Sequence, residues 1–284
     1  MKKILLVLFM LVVCGLVSAN DYSCSSDDSA LVVKLLKKAK NQPSNTNYMI
    51  FFARQLIGVP YVAHTLDIAK KERLIINLHQ LDCYTYVEAV TAFSICAKNH
   101  KYDLQSYINT VRRLRYRGGK IEDYSSRLHY FTDWIIDNTI KGEVREIQSP
   151  NPPFTSIQII NVGFMSENYQ KYSMLKSNPY LVPKIRQVEH SLNGRRYRYI
   201  PKNMVHNNIV MRKAVKDGDI IAIITNKKGL DTSHVGIAVW HKDGLHLLNA
   251  SQLHHRVVEE GMTFANYLSE HPVQTGIRVI RIVK

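Results

Sequence analysis

Apolar residues recur at helical spacing through the first half of the chain and at strand spacing through its last third. Leu31, Val32, Leu35 and Leu36, with lysines on the opposite face, predict an amphipathic helix over Ser29–Lys40, and a second is predicted over Asn47–Leu56. Gly58-Val59-Pro60-Tyr61 ends it. A short β-prone run, Leu74-Ile75-Ile76-Asn77-Leu78, leads into a stretch where Val87, Val90, Ala92 and Phe93 share roughly one face. That spacing predicts a helix over Cys83–Ala97 with Asp82 as its cap. Further helices are predicted over Tyr102–Arg113 and Leu128–Ile140, with a basic, turn-rich loop over Arg115–Lys120 between them.

Residues 141–210 break this regularity. Ser149-Pro150-Asn151-Pro152-Pro153 is a loop, Tyr180–Ser191 a helix starting irregularly near Pro183, and Arg195–Ile200 a strand. With no linker-like composition at either end, the region reads as an insertion in the core domain. Beyond it lie the β-prone runs Asp219–Ile224, Val235–Trp240 and His246–Ser251, joined by short Gly-containing turns, and then Gly276–Ile282. They predict an antiparallel meander to which the last strand adds. Helices first and strands afterwards make the expected class α+β.

The N-terminus changes the picture. Lys2 and Lys3, an apolar run over Ile4–Val17 and the small-residue end Ser18-Ala19 match a secretory leader, too short for a comfortable membrane span. Cleavage is expected after Ala19; Cys14 follows Val12-Val13, which does not suit lipid attachment. The expected organisation is a signal peptide at 1–19, an N-terminal segment at 20–44, polar and loose to about residue 28, and a catalytic domain at 45–284 with the insertion at 141–210. The formal net charge of +15 becomes +13 without the two leader lysines, which suits an anionic partner: a cell-wall polymer, an acidic lipid surface or nucleic acid. Cys24, Cys83 and Cys96 remain after processing, so at least one thiol is unpaired; one arrangement bridges Cys24 to Cys96 and leaves Cys83 free.

Cys83 is the first candidate for chemistry. A thiol in the first turn of a helix meets the positive end of the helix dipole and unpaired N–H groups, both favouring thiolate. A buried, inert cysteine is the structural alternative. A nucleophilic cysteine needs a base within reach and a third group to orient it. His234 opens the run ending at Trp240, and Asn249 lies on the neighbouring run at about the same height across a hairpin turn. With twelve histidines in the chain, His234 alone reads as an ordinary strand-end residue, and Asn249 alone as a turn amide.

Asp82-Cys83, Ser233-His234-Val235-Gly236-Ile237 and Leu247-Leu248-Asn249-Ala250-Ser251 together resemble the NlpC/P60 superfamily of papain-like cell-wall hydrolases. Gly58–Tyr61, Leu81–Glu88, Ser126–Ile135 and Gly229–Gly236 resemble its DUF1460 branch, described as N-acetylmuramoyl-L-alanine amidase-like. The resemblance implies a papain-like α+β fold whose nucleophile, at a helix N-terminus, abuts a C-terminal antiparallel sheet. It implies Cys83 as nucleophile, His234 as base and Asn249 as the polar third member, where many relatives carry histidine. It also implies that Tyr61 lines the substrate groove, with Tyr84 and Ser233 beside the reacting groups. Endopeptidases of the superfamily that cut after γ-D-glutamate typically read Asp-Cys-Ser-Gly, whereas Tyr84 and Thr85 follow Cys83 here. This departure favours the amidase-like branch, implied to cut between the lactyl group of muramic acid and L-alanine, over the endopeptidase. With the leader, the expected enzyme is exported, periplasmic or extracellular.

Arg112, Arg113, Arg115, Arg117 and Lys120 form a basic patch that suits stem-peptide carboxylates, or else a solvated loop. His129, Tyr130 and Trp134 either shape the site or fill the core. Against a zinc amidase, the sequence holds no His-Glu-x-x-His, and His254-His255 are adjacent rather than a spaced ligand pair, so neither metal nor other cofactor is expected. A non-catalytic cell-wall-binding module would use the charge alone. No nucleic-acid-binding signature is present, and the expected partner is peptidoglycan or a muropeptide.

Overall fold

The computed structural model describes residues 22–69 and 71–283. The expected leader, its expected cleavage point and Cys14 lie outside them. Strand β1 (Tyr22–Cys24) pairs in parallel with β2 (Leu74–Ile76). It precedes helix α1 (Ser26–Lys40), capped by the Ser25 side chain. The segment over 20–28 is therefore not loose where it is described: the buried Asp28 carboxylate accepts hydrogen bonds from the Leu78 N–H and His79 Nδ1, both at 2.8 Å. Those partners are some fifty residues away in sequence, beyond the reach of a local pattern.

Helix α2 (Tyr48–Gln55) and α4 (Leu104–Arg115) enclose α3 (Cys83–Lys98), whose other side meets the sheet. Every residue from Thr85 to Ala97 is buried, as a helix apolar nearly all round requires. Phe52, Phe93 and Tyr107 form its main aromatic contact, with ring centroids 4.9 and 4.2 Å apart. Burying a side chain such as Phe or Val is worth roughly 1.5–3 kcal/mol, which locks α3 in place. Helix α5 (Phe131–Ile140) starts three residues later than its periodicity predicts, because Tyr130 is extended and, with His129, walls a cavity.

The large sheet runs β4 (Ser156–Ile159), β5 (Arg196–Pro201), β10 (Gln274–Ile282), β6 (Ile220–Thr225), β7 (Thr232–Trp240), β8 (Leu245–Ser251), β9 (Arg256–Glu259). Strand β3 (Val144–Ile147) pairs with the far half of β10, which β5 does not reach. All these pairings are antiparallel, so the predicted meander β6–β7–β8 exists and the last strand joins it beside β6. Alternation along β7 sends Val235, Ile237 and Val239 into the helix-side core, while Ala238 enters the second core on the other face, which α9 (Ile209–Ala214) and α10 (Phe264–Ser269) cover. Gly236 must be glycine, since a Cβ there would lie 2.7 Å from Leu247 Cδ1.

Residues 141–210 supply three strands to this sheet. They also carry α6 (Phe164–Glu167), α7 (Ser173–Ser177) and α8 (Val182–Leu192), which build a third apolar cluster with Tyr124 and Tyr130. Among the described residues, no helix is long and apolar enough to cross a membrane.

Candidate active site

Asp82 caps α3 by accepting from the Thr85 N–H, and Thr85 Oγ1 accepts from the Asp82 N–H in return. The reciprocal pair fixes the helix start and with it Cys83. The thiol opens onto a cavity of about 190 Å³ lined also by Tyr84, His129, Tyr130, Met165, Tyr172 and the run Leu230–Val235. His234 therefore faces the same space. Its Nε2 is 2.9 Å from Asn249 Oδ1. The β7–β8 register pairs Ile237 with Leu248, so His234 meets Asn249 on the diagonal rather than directly across, on one face of both strands.

Burial pushes the Cys83 thiol up to about 12, and the neighbouring Asp82 carboxylate adds to it. The N–H groups of Val235, Tyr84 and Cys83 itself pull the other way without prevailing. The expected helix-start thiolate is thus reversed: desolvation outweighs the helix end. Desolvation also lowers His234 below its ordinary range, against the opposing pull of Asn249 and Glu260. At neutral pH the pair rests as thiol and neutral imidazole.

Tyr61 lies beside the thiol, and its phenol is raised to about 12 by burial and by the nearness of Cys83 and Asp82. The Tyr84 hydroxyl donates to the Leu128 carbonyl at 2.5 Å, and its ring, edge-on to Phe131, lines the cavity. Ser233 is on the cavity rim, its hydroxyl 3.3 Å from the Ile223 carbonyl. A second cavity of about 220 Å³ adjoins the first and shares Tyr84, His129 and Tyr172 with it. His129 is held neutral there, down to about 3, by burial and the Arg127 guanidinium, and its Nε2–H donates to the Tyr124 carbonyl.

Several sequence expectations change. Cys24, Cys83 and Cys96 are all free: Cys24 Sγ faces Ser29 Oγ at 3.1 Å and Cys96 Sγ faces Thr110 Oγ1 at 3.4 Å. Three of the patch's five cations are paired with carboxylates from other segments, Arg113 with Glu143, Arg115 with Glu88 and Arg117 with Asp133. Trp134 is core, fully buried and stacked on Phe131, while His129 and Tyr130 wall the cavity. Sequence reasoning missed Glu260, a buried acid whose Oε1 accepts from Asn249 Nδ2 at 2.9 Å and whose Oε2 is 3.1 Å from His254 Nε2. A signal was present: a strand-like Arg256-Val257-Val258-Glu259 immediately before it.

Residues 51–277 match the AmiA-like family model, described as N-acetylmuramoyl-L-alanine amidase-like. The chain belongs to this family. It is similar to the crystal structure of an N-acetylmuramoyl-L-alanine amidase from Bacteroides uniformis, with 35% identity and a TM-score of 0.78 over 84% of this chain and 98% of that one. A Bacteroides fragilis protein named as a candidate xylanase is also 35% identical, with a TM-score of 0.74 over 81% and 98%. A Legionella pneumophila protein, LPG0564, described under the family model DUF1460, shares the fold at 19% identity and a TM-score of 0.69 over 91% and 95%. No curated protein matches the chain. The amidase-like fold is thus a mixed α+β one with a large antiparallel sheet, and the family implies a cell-wall substrate.

Proposed function

We propose that this family member is an exported cysteine amidohydrolase that cleaves peptidoglycan or muropeptides between the lactyl carbonyl of N-acetylmuramic acid and L-alanine. The observation that carries it is the shared cavity of Cys83 and His234, with His234 Nε2 held 2.9 Å from Asn249 Oδ1. A glycosidase would instead need two carboxylates facing the scissile bond. Asp231, the acid among the described residues lining this cavity, is buried and accepts from the Thr132 N–H at 2.7 Å.

In this reading His234 takes the Cys83 proton as sulfur attacks the amide carbon, then gives it to the departing amine of L-alanine. The resulting thioester is hydrolysed by a water that His234 deprotonates, and the thiol re-forms. The Cys83 N–H, at a helix start, serves as an oxyanion donor. Gln80 is exposed and does not line the cavity, so it is assigned no part as a second donor. Tyr61 walls the groove beside the sulfur, the Tyr84 ring shapes the pocket and Ser233 marks its rim. Export rests on the Lys2–Ala19 pattern, and 45–284 is taken as the catalytic domain.

Mass analysis of products from defined muropeptides tests the bond. Free stem peptide and N-acetylmuramic acid with a free lactyl carboxylate are expected. Products in which the sugar always keeps its L-alanine would replace this reading with the γ-D-glutamyl endopeptidase. Binding to sacculi without any bond cleavage would leave a binding module. Activity that survives exhaustive chelation and is abolished by a thiol alkylator is expected; the reverse would favour a zinc amidase.

A further inference from the structure

We infer that Glu260 is a positioning residue that sets the tautomer of His234 through Asn249, an inference that rests on the cysteine-hydrolase reading above. The amide of Asn249 stands between two groups with opposite demands. A carboxylate can only accept, so the contact of 2.9 Å to Glu260 Oε1 must be made by the Asn249 NH₂ group. That fixes the carbonyl end of the amide toward His234, where Oδ1 can only accept. His234 Nε2 must then carry the proton. The lone pair is left on Nδ1, the nitrogen not engaged by Asn249. Were the amide reversed, its NH₂ would face Nε2, the proton would move to Nδ1, and the ring would offer a donor where a base is needed.

The carboxylate is well anchored for this role. The Glu260 N–H donates to the Leu247 carbonyl at 2.9 Å, and its own carbonyl lies 2.8 Å from His246 Nδ1. Its side chain holds Asn249, so one residue is tied to β8 at three points. His254 Nε2 closes on the second carboxylate oxygen at 3.1 Å. Glu260 is 6% exposed and Asn249 1%, so water cannot substitute readily for either bond. A neutral asparagine alone would leave both amide orientations open. The buried acid behind it removes that freedom.

The test uses full-length processed protein, ¹⁵N-labelled at histidine, together with the E260A and E260Q variants. In the wild type at neutral pH, long-range ¹H–¹⁵N correlation should show His234, assigned by its loss in H234Q, protonated at Nε2. E260A should show both tautomers, with kcat lowered on the order of 10- to 100-fold, the usual cost of losing an outer hydrogen-bond partner of a functional group, and with KM little changed. E260Q can still present its amide oxygen to Asn249 and its NH₂ to His254, and should recover most of kcat. A wild-type His234 protonated at Nδ1 overturns the inference without any variant, as does E260A with unchanged kcat or an unchanged tautomer. Should E260A not fold, the wild-type tautomer and E260Q kinetics decide: Nε2–H with retained kcat supports the inference, and any other pair overturns it. If wild type cleaves no muropeptide the proposed function fails, while the tautomer measurement still judges Glu260.

Discussion

Cys83 and Cys96 occupy opposite ends of one helix, and they differ in what separates a thiol placed for the proposed chemistry from one that is merely buried. Both are pushed up by desolvation, Cys83 to about 12 and Cys96 to about 11. Acidity therefore does not distinguish them. Surroundings do: Cys83 opens on a cavity that it shares with His234, whereas Cys96 is sealed 1% exposed against α4 with Thr110 as its polar neighbour. A thiol this weakly acidic needs a base at hand if it is to attack. In the proposed reaction His234 supplies it at the first end of α3.

The largest effect expected from breaking this asymmetry comes from C83A, which should lower kcat by ~10⁴-fold or more, while C96A leaves it within about twofold. Purified variants assayed on one defined muropeptide would show this, and equal losses in both would undo the contrast. N249A should lower kcat by ~10²-fold, less than the ~10⁴-fold lost when an ionised orienting group is replaced so that the tautomer is wrong. Circular dichroism should show its fold intact.

The pH profile sharpens the contrast further. In the proposed mechanism His234 serves as a base only when neutral, and its pKa lies below the ordinary 6.5. The acid limb of kcat/KM should therefore fall below pH 6.5, with activity rising as pH increases through it. With the thiol near 12, no alkaline gain from Cys83 ionisation is expected below pH 9. An acid limb above 6.5 would mean that His234 is not desolvated as described. The smallest effect is on stability: C96A removes about one methylene-sized group from the core and should cost ~1 kcal/mol in urea unfolding.

Much of the scaffold around this site was readable in advance. Asp82 with Thr85 three residues on is a local capping signal, and the apolar spacing after it leaves little besides a helix with Cys83 in its first turn. The β7–β8 hairpin was equally local, since Gly244 and the flanking alternation set it within a dozen residues. Strand β1 was not readable, because Tyr22–Cys24 is too short to show a period and exists through pairing with β2. Nor was the state of the basic patch, whose neutralising acids Glu88, Asp133 and Glu143 come from other segments.

By itself, then, the sequence determined the α+β order, the capped helix that begins at Cys83, the meander carrying His234 and Asn249, and the motif blocks that resemble a cell-wall hydrolase family. Tertiary structure alone decided that the thiol is protonated rather than ionised, that Cys24 and Cys96 stay apart, and that Glu260 stands behind Asn249. The division has one cause. Caps, turns and periodicities are set by neighbours within a few residues, whereas desolvation and the pairing of buried polar groups depend on which distant segments exclude water from the same point.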